Sequence, residues 1–230
     1  MADDQRSRTA PAEHRWPVVI AVLIALALHL FLPSSLLEVQ RYIVAVVVVA
    51  LLIPLIVLNP HRLVRQTRWS RNLEIVTALV LVAANQITLV LLVFQLVERA
   101  GDGTALLVAS LQVWTTNVIA FALLYWVIDR GGPVARVHVP REDLAHADFR
   151  FPQDEDHDAV VEVARGSSRT SDWVPSFVDY LYFSLSNSMA FSPTDTMPLT
   201  HRAKLLMGLE SFAGFILLAL VIARAVAQIG

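Results

Sequence analysis

The chain has 230 residues, 56% of them apolar and 17% charged, with a mean hydropathy of +0.57. Soluble domains average about 45–50% apolar and about 25% charged, so this composition excludes an ordinary soluble protein and predicts an integral membrane one. A formal net charge of −2 excludes a nucleic-acid binder driven by bulk charge, and the absence of cysteine excludes a disulfide framework, a thiolate metal site and a cysteine nucleophile. Every basic residue except Lys204 is arginine, a codon bias that points to a GC-rich, bacterial genome.

About 20 apolar residues are needed to cross the hydrocarbon core as a helix, because each rises about 1.5 Å. Five runs qualify: Val18 to Leu37, Tyr42 to Leu58, Leu73 to Val97, Ala105 to Ile128 and Leu205 to Gln228. Only Glu38 to Arg41 separates the first two, which predicts a tight antiparallel hairpin. Pro33 and Pro54 fall near the ends of their runs, where a missing N–H is easiest to tolerate. Val44 to Val49 is β-branched at all positions but Ala45, a strand signal in water; lipid does not tolerate an open strand, so the run is read as helix. The first run is read as an anchor that is retained, since a charged tail precedes it and its apolar residues continue through Leu32.

Arginine in the short loops sets the orientation. The tail carries Arg6, Arg8 and Arg15, and the loop after the second run carries Arg62, Arg65, Arg68 and Arg71, whereas Arg41 and Arg99 stand alone. This places the N-terminus, the 59–72 loop and the 129–175 loop in the cytoplasm of a multi-pass plasma-membrane protein. Trp16, Trp69, Trp126 and Trp173 mark that side as interfacial aromatics. The chain divides into a cytoplasmic tail (1–17), a four-helix transmembrane region (18–128), an acidic cytoplasmic loop (129–175) and a C-terminal unit (176–230). The loop gathers Glu142, Asp143, Asp148, Asp154, Glu155, Asp156, Asp158 and Glu162 with His146 and His157. Such oxygen-rich clusters suit divalent cations, but with no EF-hand or paired-histidine spacing it reads as a solvated face with local packing at Asp148 to Pro152, and no metal site is assigned.

Trp173 to Phe191 reads WVPSFVDYLYFSLSNSMAF, too polar to span comfortably and tolerable as a short entering helix covered by other protein. Phe177 to Ser184, then Asp195 to Thr200, then Lys204 to Gly214 resemble the pore helix, post-filter turn and inner helix of tetrameric potassium channels. The correspondence runs without a gap from Asp179 to Gly214. The resemblance implies a homo-oligomer, tetrameric in that family, with an ion as candidate ligand, backbone carbonyls lining a filter, and a hinge glycine at Gly214. It also implies that Asp195 supports the filter, that Asn187 belongs with the pore-like, filter-equivalent residues, and that Asp179 and Glu210 belong to the supporting helices. In this frame the family's T-V-G-Y-G filter falls on Ala190, Phe191, Ser192, Pro193 and Thr194. Both glycines are missing, a proline removes a donor, and Ala190 replaces the innermost threonine, so potassium selectivity is not expected. The family's filter faces outward, whereas the arginine pattern puts this segment on the cytoplasmic side. Re-entry leaves Arg41, Arg99 and Arg224 outside; a full span exposes Arg202 and Lys204 instead of Arg224. The pattern does not separate the two.

Within the apolar runs, Thr77, Thr88 and Gln95 fall within about 20° of one another at 100° per residue, and Ser110 and Asn117 share a face. These groups read as interhelical hydrogen-bonding glue rather than a polar path. Glu210 requires a partner, for which Lys204 and Arg202 are the candidates along its own helix. His29 reads as interfacial and Asp195 as capping a turn before Pro198. No P-loop, G-x-G-x-x-G, G-x-S-x-G or H-E-x-x-H is present, so neither an enzyme nor a cofactor is expected. The sequence predicts an all-α polytopic protein of five spans plus a re-entrant or short sixth helix, with a channel-like C-terminal unit. The alternative is a membrane scaffold or regulator whose acidic loop binds a partner.

Overall fold

The computed structural model describes residues 10–32, 38–98, 103–155, 160–189 and 195–229. Long helices dominate it: α1 (Trp16–Leu30), α2 (Glu38–Leu58), α3 (Arg68–Glu98) and α4 (Gly103–Ile128). Three single-turn helices follow, α5 (Ala135–His138), α6 (Val161–Ala164) and α7 (Ser168–Ser171), then α8 (Phe177–Ser188) and α9 (His201–Ile229). Three helical stretches are long and apolar enough to cross a bilayer: Arg68–Glu98, Gly103–His138 and His201–Val226. Trp16–Leu30 and Tyr42–Leu58 are shorter apolar helices, and α1 stops at Leu30, seven residues before the expected end of its run. Residues 33–37, with Pro33, lie outside the described residues, so the expected hairpin turn does too. The valine-rich stretch of α2 is helical, and Pro54 sits inside the helix.

Helices α3 and α4 form an antiparallel pair. Arg71 near the start of α3 donates to the Gly131 carbonyl just past α4, while Leu92 and Leu96 share an apolar cluster with Leu106 and Ala109. At mid-length Asn85 Nδ2 and Gln86 Nε2 both donate to Asn117 Oδ1, at 2.9 and 2.8 Å. Of the expected glue, Asn117 is bonded across helices. The hydroxyls of Thr77, Thr88 and Ser110 instead donate to carbonyls four residues earlier in their own helices. Gly132, at φ 95°, turns the chain sharply after α4; a Cβ there would lie 2.2 Å from Arg71 Nη1.

The tail, the 59–67 loop and the 129–176 segment meet at one end. Arg15 N donates to His61 O and Leu63 N to Glu13 O, at 3.1 and 3.0 Å. Trp126 is buried there and donates to Glu13 Oε2 at 2.9 Å, so it is a core residue rather than an interfacial one. Trp16 and Trp69 are exposed, as interfacial aromatics are. His29 is buried rather than interfacial.

The 129–176 segment is not the solvated loop its charge suggests. Phe149 and Phe151 are buried against Tyr125, Tyr180 and Phe183, with ring centroids 5.0 to 6.5 Å apart. Strands β1 (Phe149–Arg150) and β2 (Met197–Pro198) pair antiparallel, Phe149 opposite Pro198. Through them the segment holds the chain just before α9.

Helix α8 lies between α4 and α9, and its depth follows from its contacts. Its first residue, Phe177, donates its N–H to Glu13 Oε1 at the tail end of the molecule. Its last turn, at Ser188, packs on Gly214, about 20 Å along α9 from His201. The start of α9 is back at the first level, where Leu199 N donates to Asp148 O at 2.8 Å. The start of α8 and β2 therefore lie at the same end of the bundle, and the end of α8 lies about 20 Å from it. At 12 residues α8 is about 18 Å long, well short of a span.

Gly214 owes its place to contact: a Cβ there would lie 2.3 Å from the Ser188 carbonyl oxygen, whereas nothing lies within 4 Å of one at Gly208. Gly214→Ala is expected to destabilise by about 1–3 kcal/mol through forced separation of α8 and α9. Gly208→Ala in the same helix is expected to be neutral or slightly stabilising. Thermal unfolding of the two variants in detergent checks the pair.

Candidate functional site

Glu210 is completely buried at the junction of α4, α8 and α9. Tyr125 Oη from α4 donates to its Oε2 at 2.7 Å, and Asn187 Nδ2 from α8 donates to the same oxygen at 2.6 Å. Ser184 Oγ lies against Oε1 and, on its other side, 2.8 Å from the Val118 carbonyl. Asn187 is itself held: Nδ2 also reaches Met207 O at 3.1 Å, and Ser211 Oγ donates to its Oδ1 at 2.9 Å. The local sequence makes this arrangement possible. Ser184 and Asn187 are three apart on one face of α8, and Glu210 and Ser211 follow Met207 by about a turn on α9. Both expected partners of Glu210 are otherwise placed: Arg202 bonds Asp148, and Lys204 is exposed. A cation on the same helix was the wrong expectation, because Glu210 faces inward while Arg202 and Lys204 point to the end of the bundle.

A second, charged layer sits at the end where α8 enters. Asp129 is fully buried; Tyr180 Oη donates to its Oδ2 at 2.5 Å and Asp148 N to its Oδ1 at 2.7 Å. Arg136, also fully buried, has its guanidinium 5.0 Å from the Tyr180 ring centroid and donates to Trp126 O at 2.8 Å. Its nearest acid is Glu13 at 3.8 Å. Burial pushes the Glu13 carboxyl up from its ordinary value, and the Arg136 charge opposes that rise without cancelling it. Asp148, buried, accepts from Arg202 Nε and Nη2 at 2.7 and 2.6 Å and from Thr200 Oγ1 at 2.6 Å. Asp154 is bonded by Arg130 and by Ser168 Oγ at 2.8 Å.

Of the residues singled out in the sequence, Asn187, Glu210 and Gly214 come together. Asp179 stands apart from them at the N-terminus of α8, where its Oδ2 accepts from Ser176 N and Oγ, each at 2.7 Å, as an N-terminal cap. Asp195 is exposed in the bend before β2. Ala190, Phe191, Ser192, Pro193 and Thr194 lie outside the described residues. No group of three metal-ligating side chains is assembled among the described residues, and the loop acids Asp148, Asp154 and Glu155 are each paired with an arginine. Sequence reasoning missed Tyr125, Asp129, Arg136 and Glu13. Their contacts join segments up to 164 residues apart, although the Gly131-Gly132 turn and the Ser176-x-x-Asp179 capping pattern were visible locally.

No protein family, curated protein or solved structure matches this chain. Its site is therefore argued from its own geometry. Among the described residues that geometry offers two neutral donors and a serine around one acid, and an arginine-paired layer above it. It positions the short helix α8 against α4 and α9.

Glu210→Ala strands Asn187 and Tyr125 in an apolar junction and is expected to cost about 2–5 kcal/mol, whereas Tyr125→Phe removes one bond of several and is expected to cost about 1 kcal/mol. Unfolding in detergent, followed by circular dichroism, ranks the two. Acid acts on the upper layer. Burial raises the Asp154 carboxyl, but the hydrogen bond and charge of Arg130 outweigh burial and hold it below its ordinary 3.8. An acid lowered on folding contributes stability that is present above its unfolded pKa and lost as pH falls through the folded value. Stability is therefore expected to fall as pH drops below about 4, and Asp154→Asn to flatten that part of the curve.

Proposed function

We propose that this is an integral membrane protein of five spans whose C-terminal unit, α8 with residues 189–200 and α9, is a channel-like pore unit that is not selective for potassium. The observation that supports this reading is the in-and-back course. A short helix enters, stops about 20 Å down beside Gly214, and the chain is back at the starting level before α9 runs inward again. A non-spanning helix at that depth is tolerated only when other protein covers it, and α4 and α9 do so here. The segment that would line a filter carries no glycine, so the carbonyl geometry of a potassium site is not available to it. A pore requires several copies around an axis, so the functional form is a homo-oligomer in a cell membrane, with the tail cytoplasmic.

The alternative is a membrane scaffold or regulator whose acidic loop binds a partner. It is weakened by the same loop, since Asp148, Asp154, Glu155 and Asp172 are already paired with Arg202, Arg130, Arg150 and Arg141.

Topology is tested through the missing cysteines. Ser167 is buried and labels poorly, so exposed Arg165 and exposed Asp195 are the sites to replace. Arg165→Cys and Asp195→Cys are each expected to be protected from an impermeant thiol reagent in intact cells and to react after lysis. Labelling of Asp195→Cys alone from outside would overturn the in-and-back unit. Purified protein in liposomes is expected to assemble and to pass ions without potassium preference, with Asn187→Ala or Ser192→Ala altering the flux. A monomeric particle with no flux for any common ion would leave the scaffold reading.

A further inference from the structure

The hydrogen-bond count around Glu210 carries information that holds whether or not the pore reading does. Two oxygen–oxygen contacts meet at Ser184 Oγ: one to the Val118 carbonyl at 2.8 Å and one to Glu210 Oε1. One hydroxyl proton shared between two acceptors makes two poor bonds, whereas a proton in each contact makes two good ones and leaves no lone pairs facing one another. The serine hydroxyl supplies one proton. The Val118 carbonyl has none, and the donors from Tyr125 and Asn187 are both directed to the other carboxylate oxygen, Oε2. The missing proton has one place left to reside, on Oε1.

We propose that Glu210 is a proton-binding site, held as the neutral acid in the folded protein. Its Oε1–H donates to Ser184 Oγ, which passes its own proton to Val118 O, while Oε2 accepts from Tyr125 and Asn187. Every polar atom of the cluster is then satisfied and no net charge is placed at the junction. The surroundings agree with a neutral group. From α4 the facing ionisable residue is Tyr125. From α8 the facing groups are Ser184 and Asn187, with Tyr180 turned to Asp129. Along α9 itself, Arg202 is committed to Asp148 and Lys204 is exposed. No cation makes a salt bridge to Glu210 among the described residues, and an ionised carboxylate in an apolar interior without one is costly.

A neutral acid and an ionised one respond oppositely to an isosteric amide. Glutamine's NH2 stands where the acid's O–H stands and its oxygen faces Tyr125 and Asn187, so it reproduces the protonated pattern with one N–H to spare. In the intact protein in detergent at neutral pH, Glu210→Gln is expected to unfold within about 2 °C of the parent, and Glu210→Ala more than about 6 °C below it. Infrared spectra of the parent are expected to show the C=O stretch of a neutral carboxylic acid that disappears in Glu210→Gln. Should that variant fail to fold, the parent and Ser184→Ala, both grown with carbon-13-labelled glutamate, supply the readout: an isotope-shifted neutral-acid band that moves in Ser184→Ala supports the site, and one that does not move belongs to another glutamate and overturns it. Absence of any neutral-acid band, or a Glu210→Gln loss as large as that of Glu210→Ala, would show an ionised carboxylate and overturn the assignment.

Discussion

A carboxyl group sealed among three helices constrains everything around it. Glu210 is completely buried on a helix that is otherwise apolar on its inward face, where Ala203, Ala213 and Leu217 are its neighbours. An acid there has to be met by donors, and the donors come from α4 and α8 rather than from α9. That requirement fixes the rotation of α8 about its axis, because Ser184 and Asn187 must both face the same point. It fixes the depth of α8 as well, because Asn187 also reaches Met207 and Ser211. Three hydrogen-bonded helices and the Ser188–Gly214 contact leave α8 little freedom to slide.

The charged layer above answers a different problem, the exposed start of an entering helix. The first N–H groups of a helix lack partners inside it. Asp179 accepts from Ser176, and Glu13, from a tail 164 residues away, accepts from Phe177. Glu13 also accepts from Trp126, and Arg136 stacks between Trp126 and Tyr180. One tail residue thereby ties the end of α4 to the start of α8. The aromatic side chains of Phe149 and Phe151 seal the space between the charged layer and Glu210, which separates the ion-paired region from the neutral one.

How far the sequence could be read depended on whether the deciding contact was local. Apolar length placed α3, α4 and α9, because spanning a bilayer is a property of each run by itself. Val44 to Val49 was read correctly as helix from the solvent alone, since backbone groups in lipid must bond internally. Asn117 bonded across helices as expected, with Asn85 and Gln86 as its donors, while the threonines, shorter and β-branched, turned back to their own carbonyls. The partner of Glu210 was misread because a neighbour six or eight residues away was preferred to tyrosine and asparagine from other helices. The 129–176 segment was misread in part because its many acids suggested hydration; Arg130, Arg141 and Arg202 stand 24, 31 and 54 residues from the acids they pair with, and only Arg150 is near its partner, Glu155. Gly214 carried a role by resemblance, a hinge, and the structure gives it a steric reason of its own, the closeness of the Ser188 carbonyl.

The outer face of α9 differs from its inner one. Leu205, Leu209, Phe212, Phe215, Leu218, Ile222 and Val226 are all exposed and follow one another three or four residues apart. In a single chain this stripe faces lipid. On the same helix Glu210 and Ser211 are spent on α8, each bonded to Asn187. Any motion of α9 against α8 therefore has to break these bonds and part the Ser188–Gly214 contact.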